Sequence, residues 1–260
     1  MEVKRDICLS RLKSRDRNGL VKVITGLRCC GKSDLLFNLF RDDLISRGVK
    51  EDHIIEMAFD SFENRKFRDP DVLYHWLKEQ IRDDGETYYL LLDEVQMLGE
   101  FESVLNSFIC LKNVDIYVTG SNAGFLPRDV ITEFRGRGDV VQMHPPSFSE
   151  FMSVYPGAEQ DGLNEYMLYG GLPQILAMSD PEQKSSFLKA LFEETYLSDI
   201  VGRHRIKNRA ELEEILDVLS SSIGSLTNPY QLSSTFRSVK NQNISPSTVK
   251  NISIICVIPS

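Results

Sequence analysis

The sequence predicts an α/β fold built on a parallel sheet, and three observations carry that prediction. Strand-length and helix-periodic stretches alternate from residue 21 to about residue 145, as right-handed strand–helix–strand crossovers require. The run Tyr88 to Leu92 is apolar without a break, the pattern of a parallel strand covered on both faces. Beyond Pro145-Pro146 only helical periodicity remains, which sets a helical region after the sheet.

The elements follow in order. Val21 to Thr25 is a β-rich run, Gly26 interrupts it, and Leu35, Leu36, Leu39, Phe40 and Leu44 then recur at helical spacing. Ile54 to Phe59 is the next strand. A helix opens after Asp69-Pro70, with proline in the first turn, and runs through Leu73, Trp76, Leu77 and Ile81 to Asp84-Gly85. Tyr88 to Leu92 precedes a helix carrying Phe101, Leu105, Phe108, Ile109 and Leu111; Ile116 to Thr119 and Val140 to Met143 are the last two strands. Helical stretches are expected at Phe148 to Tyr155, Leu163 to Tyr169, Glu182 to Val201 and Leu212 to Leu219, and Ser220 to Asn228 is a loop before a final pair of short helices.

With 260 residues, 42% hydrophobic and 26% charged, the chain is neither collagenous nor wholly disordered, and its length suits a medium domain with a smaller companion. The net charge of −8 argues against a surface that coats nucleic acid or an anionic membrane. That charge is uneven: from Arg203 onward seven Lys/Arg face four Asp/Glu, so the last part is net +3. No run approaches the roughly 18–20 apolar residues of a membrane span, and the first six residues lack a signal-peptide core, so a cytoplasmic location and no membrane partner are expected. Five cysteines without a Cys-x-x-Cys pair read as reduced thiols.

Gly26-Leu27-Arg28-Cys29-Cys30-Gly31-Lys32-Ser33 satisfies G-x-x-x-x-G-K-[ST] between a strand and a helix start. Glycines let successive backbone amides turn inward on phosphate oxygens, and the helix N-terminus adds partial positive charge. Lys32 would reach the β and γ phosphates and the Ser33 hydroxyl would bind Mg²⁺, so ATP or GTP is the expected ligand. Cys29 and Cys30 contribute mainly backbone. Asp34 brings a carboxylate beside the phosphates and is expected to weaken binding unless it points away.

Leu90-Leu91-Leu92-Asp93-Glu94 is a buried strand ending in two carboxylates, the Walker B arrangement. Asp93 is expected to hold the metal's water shell and Glu94 to polarise the attacking water, which favours hydrolysis over transfer to a small molecule. After Thr119-Gly120, either Asn122 or Ser121 is the expected polar sensor at the carboxyl edge of the sheet.

These motifs, with Leu92-Asp93-Glu94-Val95-Gln96, Thr119-Gly120-Ser121-Asn122, Gly136-Arg137, Ser147-Phe148-Ser149-Glu150-Phe151, Gly170-Gly171-Leu172-Pro173 and Asp199-Ile200, resemble prokaryotic AAA-type ATPases that carry a C-terminal domain of unknown function and stand near the archaeal and STAND-like P-loop ATPases. The resemblance runs over most of the chain. It implies an AAA-like P-loop ATPase core over 1–150, a helical lid over 151–205 and an incomplete winged helix over 206–260. It further implies ATP as the nucleotide, Pro173 packed near adenine, and Arg137, with Arg135 as its rival, as an arginine finger for a neighbouring copy in a homo-oligomer.

The sequence departs from the family pattern at Cys29, usually arginine, at Asp34, usually threonine, and at Pro146, usually leucine. In the family a nuclease-like portion follows the winged helix. Here Ile252 to Ile258 is an uncharged apolar run unlike that continuation, as expected of a truncated product. The expected activity is ATP hydrolysis; the alternative is a slow ATP-gated switch that controls a protein or DNA partner.

Overall fold

The computed structural model describes residues 3–120, 134, 136–193, 201, 209–221, 228–239 and 245–250. Five strands, β1 (Val21–Gly26), β2 (Ile54–Ala58), β3 (Tyr88–Asp93), β4 (Val114–Gly120) and β5 (Gly138–Met143), form one parallel sheet in the order β2-β3-β4-β1-β5. The α/β expectation is borne out. β4 lies between β1 and β3, so the strand leading to the glycine-rich loop and the strand ending in two carboxylates are separated by one strand's width.

All six residues of β1 and of β3 are buried, and in β3 this shows in the sequence as an apolar run without alternation. Side chains nonetheless alternate between the two faces. Val21, Val23, Leu90, Leu92, Ile116 and Val118 pack with Leu73, Leu77, Leu105 and Phe108 from helices α4 (Pro70–Gln80) and α5 (Phe101–Phe108). On the other face Ile24, Leu91, Tyr117 and Val141 meet Leu35, Leu36, Phe40 and Leu44. Those four residues belong to a helix that starts as α2 (Lys32–Asp34), passes through a π-helical stretch Leu35–Phe40 and continues as α3 (Arg41–Ser46).

Helix α1 (Asp6–Lys13) joins this second face through Cys8 and Leu12. The sequence reading placed no element there, because two buried positions in eight residues give too little periodicity to count. Helix α4 starts as expected: Asp69 caps it by accepting from the Asp71 and Val72 amides at 3.0 and 3.2 Å, and Pro70 fills the first turn.

The chain divides into two compact units, Met1–Ser185 and Ser186–Pro259. In the second, the helices Arg209–Ser221 and Pro229–Val239 and the helical residues 246–250 pack Leu212, Ile215, Leu232, Phe236 and Val249 into a small core. Residues 252–258 and the Asp199-Ile200 pair lie outside the described residues.

At the amino edge of the sheet the fully buried Lys22 of β1 forms an ion pair with Asp115 of β4 and lies over the Tyr117 ring, 4.5 Å from its centroid. Burial lowers the Lys22 pKa against the pull of Asp115. Removing one partner leaves an unpaired buried charge, so Lys22→Met should lower stability by about 3–5 kcal/mol, while Lys22→Met/Asp115→Leu should recover most of that loss. Urea midpoints of the two variants check this; equal losses in both would show that the pairing itself is not what matters.

Candidate functional site

The carboxyl edge of the sheet holds a cleft of about 760 Å³ lined by Arg28, Cys29, Gly31, Lys32, Ser33, Asp34, Asp60, Glu94, Gln96, Met97 and Gln174. Its floor is set by backbone constraints. Gly26 ends β1 at φ +154°, and a Cβ there would stand 2.2 Å from the Met143 carbonyl oxygen of β5, so only glycine lets the two strand ends approach this closely. Gly31, at φ +96°, turns the chain into α2. Cys29 also has positive φ, whereas Cys30 is fully buried against Met143. The Cys30 side chain therefore belongs to the core, which is more than a spacer role. Burial pushes its thiol pKa up, against the pull of Lys32.

Lys32 is buried and donates to the Gly26 and Leu27 carbonyls at 3.0 and 2.9 Å, so its charge sits inside the loop. Ser33 Oγ donates to Asp93 Oδ2 at 2.7 Å. The Thr119 hydroxyl donates to the other Asp93 oxygen, Oδ1, and accepts from the Glu94 amide at 3.1 Å. Asp93, only 4% exposed, is thus held from both sides. Burial raises its pKa, and the bonds from Thr119 and Ser33 oppose that shift.

Glu94 follows in a left-handed conformation, φ 53° and ψ 47°, and opens the short helix Val95–Met97. Its carboxylate accepts from the Gln96 side-chain amide. Asp34 accepts from Asn38 one turn on, at 2.6 Å, which holds it along its own helix although it lines the cleft.

One lining residue, Gln174, comes from the segment after β5. Ser147 and Glu150 form a capping box for the helix Phe148–Met152, and the buried Arg5 donates to the His144 carbonyl and pairs with Glu150 at 3.6 Å. Tyr166 donates to the Pro146 carbonyl at 3.0 Å, and a Cβ on Gly171 would meet that same oxygen at 2.3 Å. Pro173 then opens the helix Pro173–Leu176, and the neighbouring Gln174 lines the cleft with its Oε1 buried and without a hydrogen-bond partner.

The structure therefore gathers Lys32, Ser33, Asp34, Asp93 and Glu94, with Pro173 one residue from the lining. It does not gather Arg137. That residue is exposed just before Gly138, and Val21↔Gly138 and Gly26↔Met143 pairing puts it at the opposite edge of the sheet, about 17–20 Å away by strand rise. Asn122, Ser121 and Arg135 lie outside the described residues. Thr119, the hydroxyl that holds Asp93, is the site residue the sequence reading passed over. Its signal was a hydroxyl closing a strand of buried apolar residues.

A five-stranded parallel sheet with a glycine-rich loop after β1 and the acidic strand one position removed is a P-loop ATPase fold. The chain belongs to the AAA domain family, whose sequence model matches residues 18–152, more than half of it. A domain of unknown function (DUF8612) matches residues 160–253. An uncharacterized protein of Haemophilus influenzae is 31% identical over 241 residues, which cover 91% of this chain and 60% of that protein. Uncharacterized protein MJ1544 of Methanocaldococcus jannaschii is 26% identical over 233 residues, 84% of this chain and 49% of that one. The chain thus spans well under two thirds of these relatives' length. Among solved structures, the Walker-type ATPase PABY2304 of Pyrococcus abyssi has the same fold at a TM-score of 0.56 and 17% identity, covering 98% of this chain and 89% of its own. Among the described residues no helix is long and apolar enough to cross a membrane.

A buried carboxyl whose pKa folding raises destabilises the native state when it is ionised. Asp93→Asn removes that charge, keeps an acceptor oxygen for one hydroxyl and turns a donor amide toward the other. The variant's melting temperature should rise at neutral pH. A fall would mean that the carboxylate is a net stabiliser of the fold.

Proposed function

We propose that this domain binds ATP with Mg²⁺ in the cleft at the carboxyl edge and hydrolyses it to ADP and phosphate. The observation that carries the reading is the convergence of Lys32, Ser33 and Glu94 on that one cleft, with Asp93 hydrogen-bonded to Ser33 behind its lining. The donors fit a magnesium ion: Asp93 and Ser33 offer hard oxygens 2.7 Å apart, and the buried carboxylate needs a cation. Among the described residues no cluster of three or more His, Cys, Asp or Glu forms a cage, consistent with an ion held by one or two protein oxygens plus phosphates and water. Ser33 and Asp93 would hold Mg²⁺, which when bound neutralises charge on the phosphate oxygens.

The chain's own groups then divide the work. Backbone amides of the loop Gly26 to Ser33 cradle the phosphates while Lys32 exchanges the Gly26 and Leu27 carbonyls for phosphate oxygens. Glu94 orients a water and takes its proton as the water oxygen bonds to the γ-phosphorus. The bond from that phosphorus to the bridging oxygen breaks, and ADP leaves with the electron pair. Asn122 would orient the same water, and Pro173 would pack on adenine. Residues 151–205 would act as a lid, with 206–260 as a partial winged helix.

Arg137, exposed at the opposite edge, could serve only the site of a neighbouring copy, which makes a homo-oligomer part of the reading. A slow ATP-gated switch acting on a protein or DNA partner is the second reading. It is favoured by one observation: Lys32 and Glu94 are both engaged by groups of their own chain. Turnover with and without DNA separates the two.

Millimolar ATP with Mg²⁺ should raise the melting temperature of the wild type, and Lys32→Ala should abolish that rise. Glu94→Gln should keep nucleotide affinity and slow turnover by about 10²–10⁴-fold. Mixing Lys32→Ala with Arg137→Ala should restore part of the activity; co-assembled mixtures that stay inactive would place Arg137 outside the reaction.

A further inference from the structure

The geometry points to Gln96 as the positioning residue for Glu94, an assignment that rests on the ATPase reading above. Four observations converge. Gln96 Nε2 donates to Glu94 Oε2, and both side chains line the cleft. The turn that carries them is fixed from below, because Val95 and Leu98 are buried in the core and the Met97 and Leu98 amides close it onto the Glu94 and Val95 carbonyls, each at 3.0 Å. It is fixed from the side by the Gly99 amide on the Arg68 carbonyl, also at 3.0 Å. The amide can face Glu94 in one orientation only, since the reverse would set the carbonyl Oε1 against a carboxylate.

The fourth observation concerns the far end of the same amide. Gln96 Oε1 is buried and has no hydrogen-bond partner. A buried acceptor without a donor destabilises the fold, and methionine or leucine would fill similar space without that penalty. A polar side chain kept at such a position is expected to serve a function. Here the function is local: the terminal torsion of a glutamate is broad and poorly fixed by itself, and a donor on one oxygen fixes how the carboxylate plane faces the incoming water. Gln96 neither gains nor loses a proton; it acts through Glu94.

The test compares wild type, Gln96→Met, Glu94→Gln and the double variant at saturating ATP with Mg²⁺, alongside titration with a fluorescent ATP analogue. Gln96→Met should lower kcat about 10- to 100-fold while KM and analogue affinity stay within twofold and the melting temperature holds or rises. The double variant should be no slower than Glu94→Gln alone, because removing the residue acted upon removes the effect. In nitrogen-15 spectra the Gln96 side-chain amide, identified by its loss in Gln96→Met, should shift in Glu94→Ala.

Unchanged kcat in Gln96→Met overturns the assignment, as do losses that multiply in the double variant or an amide signal that ignores Glu94→Ala. A parallel fall in analogue affinity would instead make Gln96 a binding residue. No turnover by the wild type would overturn the ATPase reading itself, a result distinct from all of these.

Discussion

Asp93 is the point on which this structure turns. A carboxylate at the end of a buried strand is tolerated only if donors reach it, and here two hydroxyls do: Ser33 from the start of α2 and Thr119 from the end of β4. The three residues are far apart in sequence and meet because β4 is inserted between β1 and β3. With Asp93 fixed, the next residue must leave the sheet sharply, and Glu94 does so in a left-handed conformation whose amide is satisfied by the same Thr119. One buried acid therefore sets the helix after the glycine-rich loop, the neighbouring strand and the acidic side chain at the cleft in a single hydrogen-bonded unit.

A second set of contacts closes the cleft from the β5 side. The Met143 carbonyl presses on Gly26, the His144 carbonyl holds Arg5, and the Pro146 carbonyl is covered by Tyr166 and Gly171. These carbonyls lie within four residues of one another, so α1, the loop and the segment 170–174 share one anchoring strip.

Much of this was legible in the sequence, for physical reasons that differ by element. Strand β3 stood out because burial on both faces makes it a continuous apolar run, and the loop because its glycines and lysine have a fixed order. Helix α1 did not stand out, since only Cys8 and Leu12 of its eight residues are buried. Thr119 had no assigned role in the sequence, because a hydroxyl that reaches Asp93 from the neighbouring strand is invisible until strand order is known; the expected sensors Asn122 and Ser121 lie outside the described residues. Arg137 sits before β5 in sequence, but which sheet edge that means follows only from parallel pairing. Gln96 stands in the motif that follows the acidic pair, but no role followed for it from the sequence; its interest and that of Gln174 lie in carbonyl oxygens buried without partners, a property that only coordinates reveal.

The central claim is that Ser33 and Asp93 form a preassembled seat beside a lysine that must change partners. A crystal structure with Mg²⁺ and a non-hydrolysable ATP analogue tests it most directly. The account predicts the metal on the Ser33 hydroxyl, with Asp93 in contact directly or through water. It also predicts Lys32 Nζ moved from the Gly26 and Leu27 carbonyls onto the phosphate oxygens. A nucleotide bound elsewhere, or bound in the cleft with Lys32 still on those carbonyls, would contradict it.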